Sequence, residues 1–276
     1  MTNSKQVVTY DSADRTPAAL EELRSLFRYQ HLVIQMVRRD ILTRYKRSVL
    51  GIAWTMLNPL GTMLVLTIVF QYAFGRQEGY AAYVLSGLVA WTFFAQTTHA
   101  ATVNLVWGGG LLKRIYAPRT VFALSAIGTG LINLTLSLVP VLIVMLATRV
   151  PIRPALLFFP IPMIFLAMFS LGMGLLISTI AVFFADVIEM YQIFLTAWMY
   201  LSPIIYFPDY LPEEFRIWIV RLNPMFHLIQ LFRAPIYDGR VPEISEFLLS
   251  GGIAVGTLVI GWIFFTKKAD EIAYRL

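Results

Sequence analysis

The sequence predicts an all-α integral membrane protein. It is expected to have six transmembrane helices, an N-terminal amphipathic interfacial helix, and short re-entrant or interfacial helices before the last span. Three observations predict this. Of the 276 residues, 58% are hydrophobic and only 14% charged, where soluble domains carry about 25% charged residues. The mean hydropathy is +0.70. The charges cluster, leaving six charge-free intervals of 19 residues or more; a hydrocarbon core about 30 Å thick needs roughly 20 helical residues.

The intervals are Ser48–Gly75, Gly79–Leu112, Thr120–Thr148, Pro154–Ala185, Met190–Pro208 and Phe247–Thr266. They place spans at about 49–74, 80–106, 120–148, 156–184, 188–206 and 248–266. Another interval, Leu222–Phe232, has 11 residues. It is too short to cross and suits a re-entrant or interfacial helix. With the N-terminus inside, the inner segments hold nine, three, none and three Lys or Arg, against one, two and four in the outer segments. The positive-inside rule therefore favours two cytoplasmic termini.

Ahead of the first span, residues 1–16 read as a flexible N-terminus and 17–47 as an amphipathic helix. Leu20, Leu23, Phe27, His31, Ile34, Val37 and Ile41 recur at helical spacing, with Arg24, Arg28, Gln35 and Arg39 elsewhere on the wheel. That suits a helix lying in the interface with arginines toward lipid phosphates; a short cytosolic helical hairpin is the alternative. Asp40 and Arg44 form an i,i+4 pair expected to support the helix. No apolar run falls within the first 15–30 residues, where a signal peptide would show one, so the first span is expected to be an uncleaved anchor.

The inner loop 107–119, WGGGLLKRIYAPR, holds three glycines, a basic-amphipathic stretch Leu111–Tyr116, and Pro118. Gly and Pro end and begin the flanking helices. The stretch is either an ordinary positive-inside loop or a short helix touching a cytoplasmic partner. The outer segment 207–246 carries six acids, four arginines and prolines 208, 212, 224, 235 and 242. Pro212–Leu222 and Pro224–Phe232 read as short helices begun by proline. Residues 267–276 form a cytoplasmic tail.

Several chemistries are missing. Without cysteine, disulfides, thiolate nucleophiles and zinc–cysteine sites are excluded. No Walker phosphate loop, H-E-x-x-H or G-x-S-x-G motif occurs. His31, His99 and His227 are scattered. No Asp, Glu, Lys or Arg falls in the centre of a span, where ion and proton pathways place them. His99 alone intrudes, and reads as a hydrogen-bonded structural residue. The net charge of +6 sits beside apolar spans and not in a separate basic domain, which argues against nucleic acid. No internal repeat pairs the two halves. The pattern is a passage whose energy comes from elsewhere.

The stretch RRDILTRYKRSVLGIAWTMLNPL then becomes specific. It resembles the entry to the first span of ABC-2-type transport permeases, in the branch exporting polysaccharides, O-antigens and teichoic acids. Asp40, Arg44, Tyr45, Lys46, Ser48, Leu50, Gly51, Trp54 and Pro59 match its D-x-x-x-R-Y-[KR]-x-S-x-L-G-x-x-W-x-x-x-x-P pattern. SPIIY (Ser202–Tyr206) and LNPMFHLIQLFRAPIYDG (Leu222–Gly239) resemble later family elements in the same order. Where the family often has Arg-Asp between the fourth and fifth spans, this chain reads Ala185-Asp186, so a role for that arginine is not carried over. Asp186 is left to cap the following helix or meet a partner.

The resemblance implies a half-transporter of the bacterial cytoplasmic membrane, paired with a second copy as a homodimer and with two ATPase subunits. No cofactor is implied in this chain; ATP and Mg would bind the partner ATPase. The cargo would be a lipid-linked polysaccharide. Arg44, Tyr45, Lys46, Leu111, Leu112, Lys113, Arg114 and Tyr116 would couple to the ATPase. Gly51, Pro59, Pro203 and Pro224 would act as structural hinges. Sugar rings stack on aromatic faces, which nominates Trp91, Phe93, Trp198, Tyr200 and Tyr206 for the channel; an interfacial aromatic belt is the alternative. A drug or small-lipid permease and a membrane-bound enzyme using Asp186 and Glu189 are the competing functions.

Overall fold

The computed structural model describes residues 18–46, 48–51, 53–73, 79–108 and 118–275. Every regular element among them is helical: α1 (Ala18–Arg28), α2 (Gln30–Tyr45), α3 (Ala53–Ala73), α4 (Tyr80–Trp107), α5 (Thr120–Ala147), α6 (Pro160–Phe183), α7 (Val187–Leu201), α8 (Pro224–Arg233), α9 (Ile244–Lys267) and α10 (Ala269–Arg275). Short helical turns at Pro154–Phe158, Pro208–Tyr210, Glu213–Arg216, Ile217–Arg221 and Ala234–Asp238 punctuate the connections. Long apolar runs become helices because lipid offers the backbone no partners, so each span must satisfy its own.

Among the described residues five helices, α3, α4, α5, α6 and α9, have more than 20 residues. The terminal end carries α1, α2 and α10. There Trp262 Nε1 donates to the Ala19 carbonyl at 3.3 Å and Thr120 Oγ1 donates to Glu22 at 2.9 Å. The Arg119 guanidinium donates to the Ala269 carbonyl, and Arg275 lies 4.8 Å over the Phe183 ring. At the distal end, Phe159 and Phe232 pack ring against ring at 4.6 Å. Among the described residues four segments are long and apolar enough to cross a membrane: Ala53–Phe70, Thr120–Ala147, Pro154–Phe183 and Ile244–Lys267. Helix α4 has 28 residues with a polar stretch around Gln96–His99, and α7 has only 15.

Helix α4 is the axis, packed against α3, α5, α6, α7 and α8. Its buried residues, among them Val84, Leu85, Trp91 and Phe94, dominate the larger of two apolar cores. The smaller core, at the terminal end, joins Met36 of α2 to Val121, Phe122, Leu175 and Phe265. Helices α6 and α9 approach so closely that a Cβ on Gly261 would collide with the Gly172 carbonyl. Small residues permit such backbone approach, which drives helix association where lipid supplies no hydrophobic force.

Four expectations are corrected. The single helix over 17–47 is two, because Tyr29 leaves the helical path at φ −100°, ψ 18°. Leu26, Leu32, Val33 and Met36 face the body, while Leu20, Leu23, Phe27 and Ile34 are exposed. The pair has one apolar face against the protein and another against its surroundings. Asp40 is engaged by the neighbouring Arg39 at 2.9 Å, and not by Arg44. The fifth helix stops at Leu201, well short of 206, because Pro203 has no N–H to continue it. Before the fourth long helix, Pro154–Phe158 forms a 3-10 turn, and Pro160 begins the α-helix at its first position.

Candidate functional site

At the distal end, SPIIY and α8 interlock. Asn223 caps α8 by accepting from Met225 N–H at 3.0 Å, and Pro224 follows at the first helical position. The same Asn223 Oδ1 accepts from Trp198 Nε1 at 2.9 Å, and its Nδ2 donates to Ser202 Oγ at 2.9 Å. One amide thus joins the start of α8 to the end of α7.

Arg233 closes the other side. It is 1% exposed, although a charge in an outer connection is expected to face water. Its Nη1 donates to the Pro203 carbonyl at 2.7 Å and its Nη2 to the Ile204 carbonyl at 3.0 Å. The guanidinium lies 3.6 Å over the Tyr83 ring, a desolvated cation–π contact. No described carboxylate lies within ion-pair distance of it. Space for the guanidinium exists because residue 87 is glycine; a Cβ there would run into Nη2. Tyr83 Oη also donates toward Pro203 and Tyr206 carbonyls at 3.1 and 3.0 Å, and Tyr80 Oη to the Ile205 carbonyl at 2.7 Å. The turn that Pro203 opens therefore hands its carbonyls to donors on α4 and α8. Nearby, burial pushes the Asp238 carboxyl above its ordinary range, with Arg240 and Arg233 pulling it back.

The nominated aromatics divide. Trp91 and Phe93 are 4% and 5% exposed and belong to the core of α4. Trp198 is half-buried and meets Trp91, Phe94 and Phe194 at 5.8, 5.3 and 5.3 Å. Tyr206 is half-buried, its hydroxyl donating to the Tyr200 carbonyl at 3.2 Å. Tyr200 itself is 61% exposed.

The exposed face of α7 carries Met190, Ile193, Phe194, Tyr200 and Leu201. Gln192 and Thr196 are exposed among them, and Gln192 shares a 3.0 Å hydrogen bond with His99 Nε2 of α4. His99 is a bridge between two helices. Gln96, one turn away on α4, is exposed as well.

At the terminal end, Gly51 adopts φ +48°, a left-handed conformation that side chains strain to reach, and its N–H donates to Ser48 Oγ at 3.0 Å. This is the corner between α2 and α3. Pro59 is buried in α3, where it leaves the Thr55 carbonyl without its helical donor; Ser137 Oγ lies 3.5 Å from that carbonyl. Arg44 and Lys46 are exposed around the corner, and the backbone of Tyr45 ends α2. Leu111, Leu112, Lys113, Arg114 and Tyr116 lie outside the described residues. Asp186 stands at the N-cap of α7, but its side chain makes no capping hydrogen bond.

Sequence reasoning places Asn223 and Arg233 in a family element before the last span without a contact for either, and misses Tyr80, Tyr83 and the burial of Arg233. One signal was available. Arg233 follows eight residues of an apolar helix that begins Asn-Pro, and Asn before Pro marks a capped start. Nothing local indicates that Tyr83, 150 positions earlier, supplies the ring beneath it.

Comparison with known proteins places this geometry. Residues 31–237 match the family model described as ABC-2 type transporter. The chain is 26% identical over 253 residues to the O-antigen export system permease protein RfbA of Myxococcus xanthus, covering 91% of this chain and 97% of that protein. It is 24% identical to the capsule polysaccharide export inner-membrane protein CtrC of Neisseria meningitidis serogroup A, over 79% of this chain and 84% of that one. It is 22% identical to the polysialic acid transport protein KpsM of Escherichia coli, over 90% and 98%.

Proposed function

Because this chain belongs to the ABC-2 type transporter family, we propose that it is the transmembrane subunit of an ABC exporter for a lipid-linked polysaccharide of the O-antigen or capsule type. ATP hydrolysis on a separate ATPase subunit drives the movement. Two copies of the chain enclose the conduit, each docks one ATPase, and both termini face the cytoplasm of a bacterial cell. ATP and Mg bind the partner.

The observation that carries this reading is the exposed strip of Gln96, Gln192 and Thr196 with Tyr200, set among apolar residues of α4 and α7. Gln192 meets His99 and the Thr196 hydroxyl donates to the Gln192 carbonyl, but their remaining hydrogen-bonding capacity, with the Gln96 amide, faces outward, and a polar group left unsatisfied in lipid is costly. A second protomer across a hydrated passage gives these groups partners, and a hydroxyl-rich polymer supplies more. The cargo class is supported by the export roles in the names of relatives that align along most of the chain.

Coupling is assigned to the Gly51 corner and to the 107–119 connection. The corner joins α2, on the molecule's surface, to α3, whose contacts are with α4 and α5. A push on α2 reaches α3 through a single left-handed glycine. The test is co-expression of the chain with its ATPase and measurement of polymer at the cell surface. Export must stop when the ATPase is inactivated; persistence sinks the proposal. Reversing Arg44 and Lys46 to Glu is expected to leave an inserted complex that hydrolyses ATP with little export. Normal coupling in that variant removes the corner from the mechanism.

A further inference from the structure

A cleft of about 300 Å³ lies between α3, α4 and α5, within a single protomer, with Arg44 of α2 in its lining. Its volume falls at the lower end of small-molecule sites, about 300–1,000 Å³. Trp54 supplies an aromatic face, with the buried Phe93 forming part of the wall, and Asn58, Gln96 and Thr92 supply amides and a hydroxyl. Trp54 is 55% exposed, and Asn58 and Gln96 are exposed too. So many polar side chains lining one cavity among apolar spans, with Asn133 adding a third amide, is a costly arrangement unless the cavity receives a polar guest.

The lining chemistry selects that guest. An acyl chain wants apolar walls throughout. A phosphate or diphosphate wants several Arg or Lys donors converging on it, and among the described residues Arg44 is the one charged side chain that lines the cavity. Amides offer both donors and acceptors, matching hydroxyls that do the same. Aromatic faces match the apolar faces of sugar rings. We infer that this cleft is a binding subsite for a short neutral saccharide segment of the cargo, held inside one protomer and separate from the exposed face of α7. The inference rests on the polysaccharide reading above and adds where the glycan pauses on its way. Gln96 contributes at the boundary, since it lines the cleft and is exposed beside His99 of the α4–α7 bridge.

The test is site-specific photocrosslinking in cells that make the polymer and carry the full complex. A p-benzoylphenylalanine is placed at Gln96 in the cleft, at Tyr200 on the α7 face, or at Leu146, which is 65% exposed on α5. After irradiation, adducts on the purified chain are probed for periodate-sensitive glycan and for phospholipid. Glycan at Gln96 and Tyr200 but not at Leu146 is expected. Adding Asn58→Leu should lower glycan capture at Gln96 about tenfold, the occupancy lost with one hydrogen bond, while capture at Tyr200 reports that the complex is still assembled. Glycan at Tyr200 without glycan at Gln96 overturns the subsite and leaves the exporter standing. Phospholipid alone at Gln96 overturns it as well, and so does glycan at neither position in cells that export. Export that does not need this chain overturns the exporter reading itself.

Discussion

Replacing Arg233 by Met tests whether the guanidinium holds the distal turn. Two opposed effects must be weighed. A buried charge is costly, and exchanging it for an apolar residue of similar volume can be neutral or stabilising. Against that stand two hydrogen bonds of 2.7 and 3.0 Å to carbonyls and a ring contact at 3.6 Å. Hydrogen bonds to charged groups are worth about 1.5–3 kcal/mol in soluble proteins, but average about 0.6 between membrane helices. A desolvated cation–π contact adds about 2 kcal/mol. After the substitution the Pro203 carbonyl retains the Tyr83 hydroxyl at 3.1 Å. The Ile204 carbonyl, on a residue with no exposed surface, loses the Arg233 donor; an orphaned buried acceptor costs about 1–3 kcal/mol. The expected destabilisation is about 3 kcal/mol. For a chain of this size that lowers Tm by roughly 6–12 °C. The assay is a thermal ramp of the detergent-solubilised protein followed by tryptophan fluorescence, with Trp198 reporting from the same knot. Arg233→Lys keeps the charge and loses the fork, so it should melt between the two. A Met variant melting within about 2 °C of the parent, under about 1 kcal/mol, refutes the argument. It would mean that burial cost and contacts cancel.

Other substitutions probe other parts of the fold. Asn223→Leu removes a helix cap and two side-chain hydrogen bonds, for an expected loss of about 2–3 kcal/mol; an unchanged melting curve would show the amide to be idle. Gly172→Ala puts a Cβ into the Thr257 carbonyl of α9, so monodisperse folded protein on size exclusion should fall sharply, and normal yield would refute the close crossing. Gly51→Ala strains a left-handed position by about 1–2 kcal/mol, and Gly51→Asn should strain it less because Asn tolerates that region. Hydrogen exchange across residues 48–56 should rise more in the Ala variant than in the Asn variant; a larger rise with Asn would contradict the corner.

Much of this protein was legible in one dimension. Charge-free intervals located the long apolar helices because lipid punishes charge along every turn of a span, so the constraint is written residue by residue. Pro203 and Pro224 mark the end of α7 and the start of α8, since proline's missing N–H and fixed φ act on the chain next to it. What the sequence hid was pairing. Arg233 looks like an outer charge in the sequence, and only the tertiary structure brings Tyr83, Gly87 and two carbonyls of the 203–204 turn around it. Likewise Asn58, Gln96 and Thr92 are scattered polar residues until α3 packs beside α4 and opens one cleft. Hydropathy acts locally and is additive along the chain. A buried charge or a polar cavity depends on which distant groups meet, and only packing decides that.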